Sequence, residues 1–311
     1  MYKQTRQIVN NKDAIVVSSL GRYSLCDTLE CGQCFRYERV NTAENGNEYI
    51  IVVKNTLINV AQYKEGELVF FNATDKEFEE VIAPFFALDC DLDSIKEDII
   101  SHTDSEWLKE ATEAGAGIAI LRQDPWEALF SFIISQNNNI PRIRKIVKSI
   151  CSEYGVNLSL QKSCILGKCA TPCEEICKNC GICYTFPTPE NIVKNPDGLL
   201  PSKPGFRFKY LLDAAERVNS NAVNLTAIAE AHDYNYTLEN LKTIKGVGDK
   251  VASCVALFGF ANLEAFPIDV WMKRAIDVYF DGQLDPSTLG RYAGVAQQYI
   301  FNHIRNTEAD E

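Results

Sequence analysis

The chain has 311 residues, enough for two or three domains with substantial cores, and 46% apolar with 23% charged content excludes a mainly disordered chain. A formal net charge of −11 and a pI near 4.9, taken alone, speak against a polyanion-binding protein. Residues 1–13 are polar, without the apolar core of a signal peptide, and no run reaches the roughly eighteen apolar residues of a membrane span. The expectation is a cytoplasmic protein with no membrane partner. In that reducing compartment the twelve cysteines point to metal or chemistry before disulfides.

The first seventy or so residues read as strands. Residues 34–40 and 48–53 flank Asn45-Gly46, a pair that tolerates positive φ and favours a tight hairpin. Residues 54–63 and 67–72 flank Glu65-Gly66 in the same way. The pattern is an antiparallel meander, not a βαβ series. From Thr74 it turns helical, with one helix opening at Asp75 and another over residues 91–101. Asp124-Pro125-Trp126-Glu127 reads as an N-cap with proline in the first helical position, starting a helix that runs through Ile134. Asn137-Asn138-Asn139 breaks it, and residues 141–154 then place Ile143, Ile146, Val147 and Ile150 on one helical face. Residues 156–186 are Cys-rich and weakly periodic. Helix resumes over residues 206–219. Residues 238–244, Gly246-Val247-Gly248 and residues 250–260 read as helix, tight hairpin, helix. Pro267-Ile268-Asp269 opens another helix with Asp269 at its N-terminus, and residues 291–306 form the last. The expected fold class is α+β: a small antiparallel β-sheet domain over residues 1–115, then an all-α body over 116–308 with a Cys-rich insertion at 160–186.

Common enzyme signatures are absent. The three histidines form no HExxH motif and no obvious triad, and there is neither a P-loop nor a Rossmann fingerprint. The strongest local signal is Gly246-Val247-Gly248, flanked by Lys242, Lys245 and apolar helices. Two glycines one residue apart permit a turn too tight for side chains, and the N–H groups opening the next helix suit a DNA phosphate. A plain αα-turn is the alternative for a bare Gly-x-Gly; the setting favours phosphate. Lys250 stands at the mouth of an apolar helix, where a partly desolvated amine becomes a nucleophile. Asp269, at a later helix N-terminus, can stay ionised and face developing positive charge. Isolated lysines and aspartates are ordinarily surface charge, so the pair informs only in this setting.

Helix-hairpin-helix, then Lys250, an apolar helix and Pro267-Ile268-Asp269-Val270 together resemble the helix-hairpin-helix (HhH-GPD) DNA glycosylases. More narrowly the chain is similar to the 8-oxoguanine DNA glycosylase/AP lyases. Gly32-Gln33-Cys34-Phe35-Arg36 resembles that family's Gly-Gln-x-Phe-Arg element. Leu121-Arg122-Gln123-Asp124-Pro125, continuing to Asn137-Asn138-Asn139-Ile140-Pro141-Arg142, is very close to its most recognisable stretch. Gly205-Phe206-Arg207 matches its Gly-aromatic-Arg turn, and Tyr292-Ala293-Gly294-Val295-Ala296-Gln297 with Phe301 its last helix. The resemblance runs from about residue 13 to 305 in the family's order.

The resemblance implies a TBP-like N-terminal sheet and a base-excision enzyme acting on damaged double-stranded DNA. Lys250 would attack the sugar C1′, expel 8-oxoguanine and leave a Schiff base that β-elimination converts to a nick. Asp269 would position the lysine and stabilise oxocarbenium-like charge. The backbone carbonyl of Gly32 would accept from the N7 proton that distinguishes 8-oxoguanine from guanine. Gln297 would read the Watson–Crick edge, Phe301 and Cys254 would sandwich the base, and Phe258 would line the pocket. Asn137 would fill the space left by the flipped base. Arg142 and Arg207 would bond the orphaned cytosine, and Phe206 would wedge into the stack. Lys245, Gly246, Val247 and Gly248 would hold the backbone. Phe258 and Trp271 stand where vertebrate members carry Met and His, which bears on opposite-base preference. A glycosylase for an alkylated base is disfavoured by Lys250, and a non-catalytic DNA-binding module by the joint presence of Lys250, Asp269 and the pocket residues.

The acidic balance is uneven. Arg142, Arg144, Lys145 and Lys148, and then Lys203, Arg207 and Lys209, occur in stretches free of acids, while Glu77, Glu79, Glu80, Asp89, Asp91 and Asp93 cluster elsewhere. Local field should govern DNA binding, with strong salt dependence. No cofactor is expected for catalysis. Cys164, Cys169, Cys173, Cys177, Cys180 and Cys183 crowd the insertion; Cys173-x3-Cys177-x2-Cys180-x2-Cys183 has the spacing for a structural zinc or iron–sulfur site. The iron–sulfur cluster of related endonuclease III-type glycosylases follows the catalytic aspartate, where this chain has no cysteine. Nucleoid association follows from the implied function. No oligomerisation signal stands out, so a monomer is expected.

Overall fold

The computed structural model describes residues 2–40, 46–71, 73–158 and 182–307. Six strands, β1 (Lys3–Val9), β2 (Lys12–Ser18), β3 (Tyr37–Val40), β4 (Asn47–Val53), β5 (Thr56–Gln62) and β6 (Glu67–Phe71), form one antiparallel sheet in the order β1-β2-β6-β5-β4-β3. Register aligns Ile15 with Phe70, Phe70 with Val60, and Val60 with Tyr49, a buried row facing the helices. The opposite face is covered too. Val16, Val69 and Ala61 cluster there, and Ile50, Val52 and Leu57 pack against Leu158, Ile182 and Cys183. Burial on both faces explains why β4 reads as a nearly continuous apolar run instead of an alternation. The pairing of β3 with β4 and of β5 with β6 agrees with the two expected hairpins.

Between β2 and β3 lies α1 (Leu25–Glu30), capped by Ser24. After the sheet, a Thr74 capping box starts α2 (Asp75–Glu77), which continues through a π turn into α3 (Ala83–Phe85). Next come α4 (Leu92–Ser101), α5 (Glu106–Gly115), α6 (Pro125–Ser135) and α7 (Ile140–Tyr154). Asp124 caps α6 and Asn139 caps α7, each accepting a backbone N–H from three residues ahead. The short α8 (Pro189–Lys194) precedes α9 (Phe208–Asn219), α10 (Leu225–Ala231) and α11 (Tyr234–Leu241). Then follow α12 (Asp249–Phe260), α13 (Val270–Tyr279) and α14 (Ala293–Thr307). One continuous core, from Ile15 to Ile304, joins sheet to helices. Buried on almost every side, α6 packs along α12, and this pair carries the lysine-bearing helix through the middle of the molecule. No helix among the described residues is long and apolar enough to cross a membrane.

Candidate active site and nucleic-acid interface

Gly32, Lys250, Cys254, Phe258, Asp269, Gln297 and Phe301 line one pocket, which brings together residues far apart in sequence. Lys250 is the second residue of α12, whose N-cap is Gly248. Its Nζ donates to Ser135 Oγ at 3.3 Å and stands 5.6 Å from the Phe132 ring centroid. Asp269 is the N-cap of α13, and its Oδ1 accepts the Met272 N–H at 2.9 Å. That hydrogen bond fixes the side chain at the start of the helix. Cys254 follows Lys250 by one helical turn and is buried. Burial pushes its thiol pKa up, against the pull of Lys250, so the sulfur is a pocket wall and not a thiolate. Phe258 stacks on Phe132 with centroids 5.3 Å apart, extending that wall.

On the far side, α14 contributes Gln297 and Phe301 from one face, as i and i+4. Gln297 is 5% exposed, and among the described residues none hydrogen-bonds its amide. Its amide is therefore free to bond a group placed in the pocket. Gly32 has φ +87°, and a Cβ there would lie 3.1 Å from Ile140 Cδ1 and 3.7 Å from Phe301 Cε1. The conformation therefore favours glycine, and a Cβ would in addition crowd the end of the Ile140 side chain.

The pocket opens into a cleft of about 1050 Å³. Asn137, Gly248, Lys250, Asp269, Trp271 and Phe301 line it. Asn137 is exposed, with φ 47°. Arg142 and Phe206 are exposed as well. Arg207 is not: it is 4% exposed, its Nε donates to the Gln136 carbonyl at 2.8 Å and its Nη2 to the Asn137 carbonyl at 2.9 Å. Burial, then the nearby Arg142 charge, lower its pKa. Arg207 thus braces the turn on which Asn137 stands.

Gly246 has φ +80°, and a Cβ there would sit 2.5 Å from the Tyr210 ring, whereas one at Gly248 would meet open space. The hairpin is anchored from behind by Asp213, which accepts the Lys245 N–H and Arg217 Nε, both at 2.9 Å. Lys245 itself is exposed, while Val247 is buried and offers only its backbone to a ligand. Of the basic run on α7, Arg142 and Lys145 are exposed; Arg144 is turned inward, 4.2 Å over the Tyr37 ring. Asp89, Asp91 and Asp93 are exposed around the start of α4. Cys183 packs among Ile50, Val52, Leu57 and Leu158. Cys164, Cys169, Cys173, Cys177 and Cys180 lie outside the described residues.

Sequence reasoning gave no role to Ser135, Phe132 or Gln298, and it named Gln33 and Gln123 only as motif residues. The burial of the three glutamines rests on partners distant in sequence, which local pattern does not show.

Residues 15–129 match the family model described as 8-oxoguanine DNA glycosylase, N-terminal domain. The chain is similar to the N-glycosylase/DNA lyase of Saccharomyces cerevisiae, 29% identical over 270 residues, spanning 80% of this chain and 66% of the yeast protein. Among solved structures, that of MBOgg1 in complex with a low-affinity DNA ligand superposes with a TM-score of 0.82 at 32% identity, covering 98% of this chain and 99% of that one. The Clostridium acetobutylicum 8-oxoguanine glycosylase/lyase, in complex with dsDNA containing cytosine opposite 8-oxoG, gives a TM-score of 0.81 at 31% identity, with 99% and 98% covered.

Proposed function

The chain belongs to the 8-oxoguanine DNA glycosylase/lyase family, and on that premise we propose that it binds damaged duplex DNA as a monomer and removes 8-oxoguanine in base-excision repair. It is a bifunctional enzyme, glycosylase and AP lyase together. The observation that carries the reading is the meeting of Lys250 and Asp269 with Gly32, Gln297 and Phe301 in one pocket.

The chemistry follows from the groups present. DNA docks its backbone on the hairpin at Gly246 and Gly248 and at Lys245, with Arg142 facing the opposite strand and Arg207 reaching it only by leaving the Gln136 and Asn137 carbonyls that it braces. The damaged nucleotide flips out at an unstacking cost of a few kcal/mol, helped by the Phe206 wedge and by Asn137 entering the gap. The base slides between Phe301 and Cys254, with Phe258 behind. Its N7–H donates to the Gly32 carbonyl; guanine presents a lone pair there and is repelled. Gln297 pairs with its Watson–Crick edge. The lone pair of Lys250 Nζ attacks C1′, the C1′–N9 bond breaks, and the base leaves with that electron pair and takes up a proton. Asp269 stabilises the positive charge on the sugar. Loss of an amine proton lets the nitrogen lone pair form C1′=N as the C1′–O4′ bond of the sugar ring breaks and O4′ takes up a proton, which gives the Schiff base. Removal of a C2′ proton then expels the 3′ phosphate and nicks the strand. No cofactor takes part in these steps. For the Cys-rich insertion we propose a structural zinc or iron–sulfur site, apart from catalysis.

Duplexes carrying 8-oxoguanine opposite each of the four bases test this reading. The account expects free 8-oxoguanine and a strand nick without alkali, most readily opposite cytosine. Base release with intact strands unless alkali is added would remove the lyase half, and no release opposite any base would remove the whole.

A further inference from the structure

The loop entering the pocket presents four successive carbonyls, at Glu30, Cys31, Gly32 and Gln33. Three are taken by side chains from elsewhere. Arg305 Nη2 donates to Glu30 at 3.2 Å, Gln298 Nε2 to Cys31 at 3.2 Å, and Gln123 Nε2 to Gln33 at 2.6 Å. Among the described residues none donates to Gly32, which lines the pocket. The uncommitted carbonyl is thus left by a surround that satisfies its neighbours.

The two sides of Gly32 are held differently. Behind it, the Gln33 side chain is locked on its own account: Nε2 donates to Thr28 O at 2.8 Å and Ala119 O at 2.9 Å, and Oε1 accepts the Leu121 N–H at 2.8 Å. Ahead of it, the Cys31 carbonyl shares a rigid peptide plane with the Gly32 N–H, and Gln298 is the only donor to that carbonyl among the described residues. Gly32 sits at φ +87°, and glycine populates negative φ about as readily as positive. The Gly32 carbonyl lies in the next peptide plane, which the Gln33 side holds, and Gly32 φ and ψ join the two planes; releasing the Cys31 plane therefore loosens that carbonyl on one of its two sides. Gln298 is 3% exposed and follows Gln297 on α14. Adjacent glutamines point one amide at the base pocket and the other at the loop that completes it.

We propose that Gln298 is a positioning residue for lesion recognition: it pins the Cys31–Gly32 peptide so that the Gly32 carbonyl faces the N7 of the flipped base. The inference rests on the reading of Gly32 as the N7–H acceptor. It separates base selection from lyase chemistry, because an abasic sugar has no N7 to read.

The test compares wild type with Gln298→Met, which keeps length and removes the donor, and with Gln298→Glu, which keeps shape and removes it when ionised. Single-turnover excision of 8-oxoguanine opposite cytosine is measured beside lyase activity on a preformed abasic duplex and binding to 8-oxoguanine and guanine duplexes. The expected result for Gln298→Met is about a five- to thirtyfold loss of excision, the scale of one hydrogen bond, with lyase activity kept and the binding preference narrowed. Gln298→Glu should regain excision relative to wild type as pH falls and its carboxyl becomes a donor. Equal excision by wild type and Gln298→Met overturns the inference alone, as does a lyase loss matching the excision loss. A wild-type protein that leaves 8-oxoguanine in place overturns both the inference and the reading beneath it.

Discussion

Arg36, four residues beyond Gly32, is tied to the helical body by a nearly closed ion pair. Its side chain is 6% exposed and that of Glu127, in the first turn of α6, 16%. Arg36 Nη1 meets Glu127 Oε2 at 2.6 Å, Nη2 donates to the Tyr184 carbonyl at 2.5 Å, and the guanidinium lies 5.5 Å from the Phe186 ring centroid. Burial pushes the Glu127 carboxyl above its usual pKa even with Arg36 beside it, so desolvation outweighs the attraction. The pair should contribute little net stability, yet losing one member should be costly. Glu127→Ala strands a buried guanidinium and should destabilise by about 3–5 kcal/mol. At roughly 2–4 °C per kcal/mol, the thermal midpoint should fall by on the order of 10 °C. Arg36→Met combined with Glu127→Leu should recover most of that loss. Differential scanning calorimetry and urea unfolding of Glu127→Ala, Glu127→Leu, Arg36→Met and the double variant supply both the single loss and the cycle. A cost below about 1 kcal/mol for Glu127→Ala, the range of an exposed pair, would refute the reasoning. So would a double variant less stable than Glu127→Ala.

Gly246→Ala forces a Cβ to 2.5 Å from Tyr210 at φ +80°, so the hairpin must move; duplex affinity should drop at least fivefold, read by fluorescence anisotropy, and unchanged affinity would count against the phosphate site. Asp213 is pushed up by burial, but the Lys245 N–H and Arg217 more than offset this and hold its pKa below the ordinary value. A depressed carboxylate stabilises the fold above its ordinary pKa and loses that contribution as pH falls through the folded value. Asp213→Asn should therefore show a flatter decline in urea-unfolding stability below about pH 4 than wild type, and parallel curves would contradict the assignment. Anaerobically purified protein should carry zinc or iron with sulfide at about one site per chain, since the insertion holds enough thiolates for one four-coordinate ion or cluster. Metal content near zero by plasma mass spectrometry would end that proposal.

The legible parts of this protein are those where chemistry restricts the residue. Asp124 and Asp269 announce helix starts because a short side-chain acceptor must meet a free N–H, and both cap as expected. Gly66 marks a hairpin and Gly246 the hairpin of the DNA face, each at positive φ. The strand β1 gave no apolar signal because it is a polar edge with an almost wholly exposed face. Arg207 could be found by motif, but not its burial, which depends on carbonyls about seventy residues away at Gln136 and Asn137. The burial of the glutamines was invisible for the same reason. Gln298 meets Cys31 across 267 positions, and Gln123 meets Gln33 across 90. No local period encodes such a partner.

The central claim is that Lys250 forms a covalent bond with the sugar of an 8-oxoguanine nucleotide. Borohydride reduction during turnover of an 8-oxoguanine:cytosine duplex tests it most directly. Wild-type protein should be trapped as a protein–DNA adduct, with the modified peptide containing Lys250, and Lys250→Gln should give none while still binding the lesion duplex. An adduct mapped to another residue, or one that survives Lys250→Gln, would contradict the account.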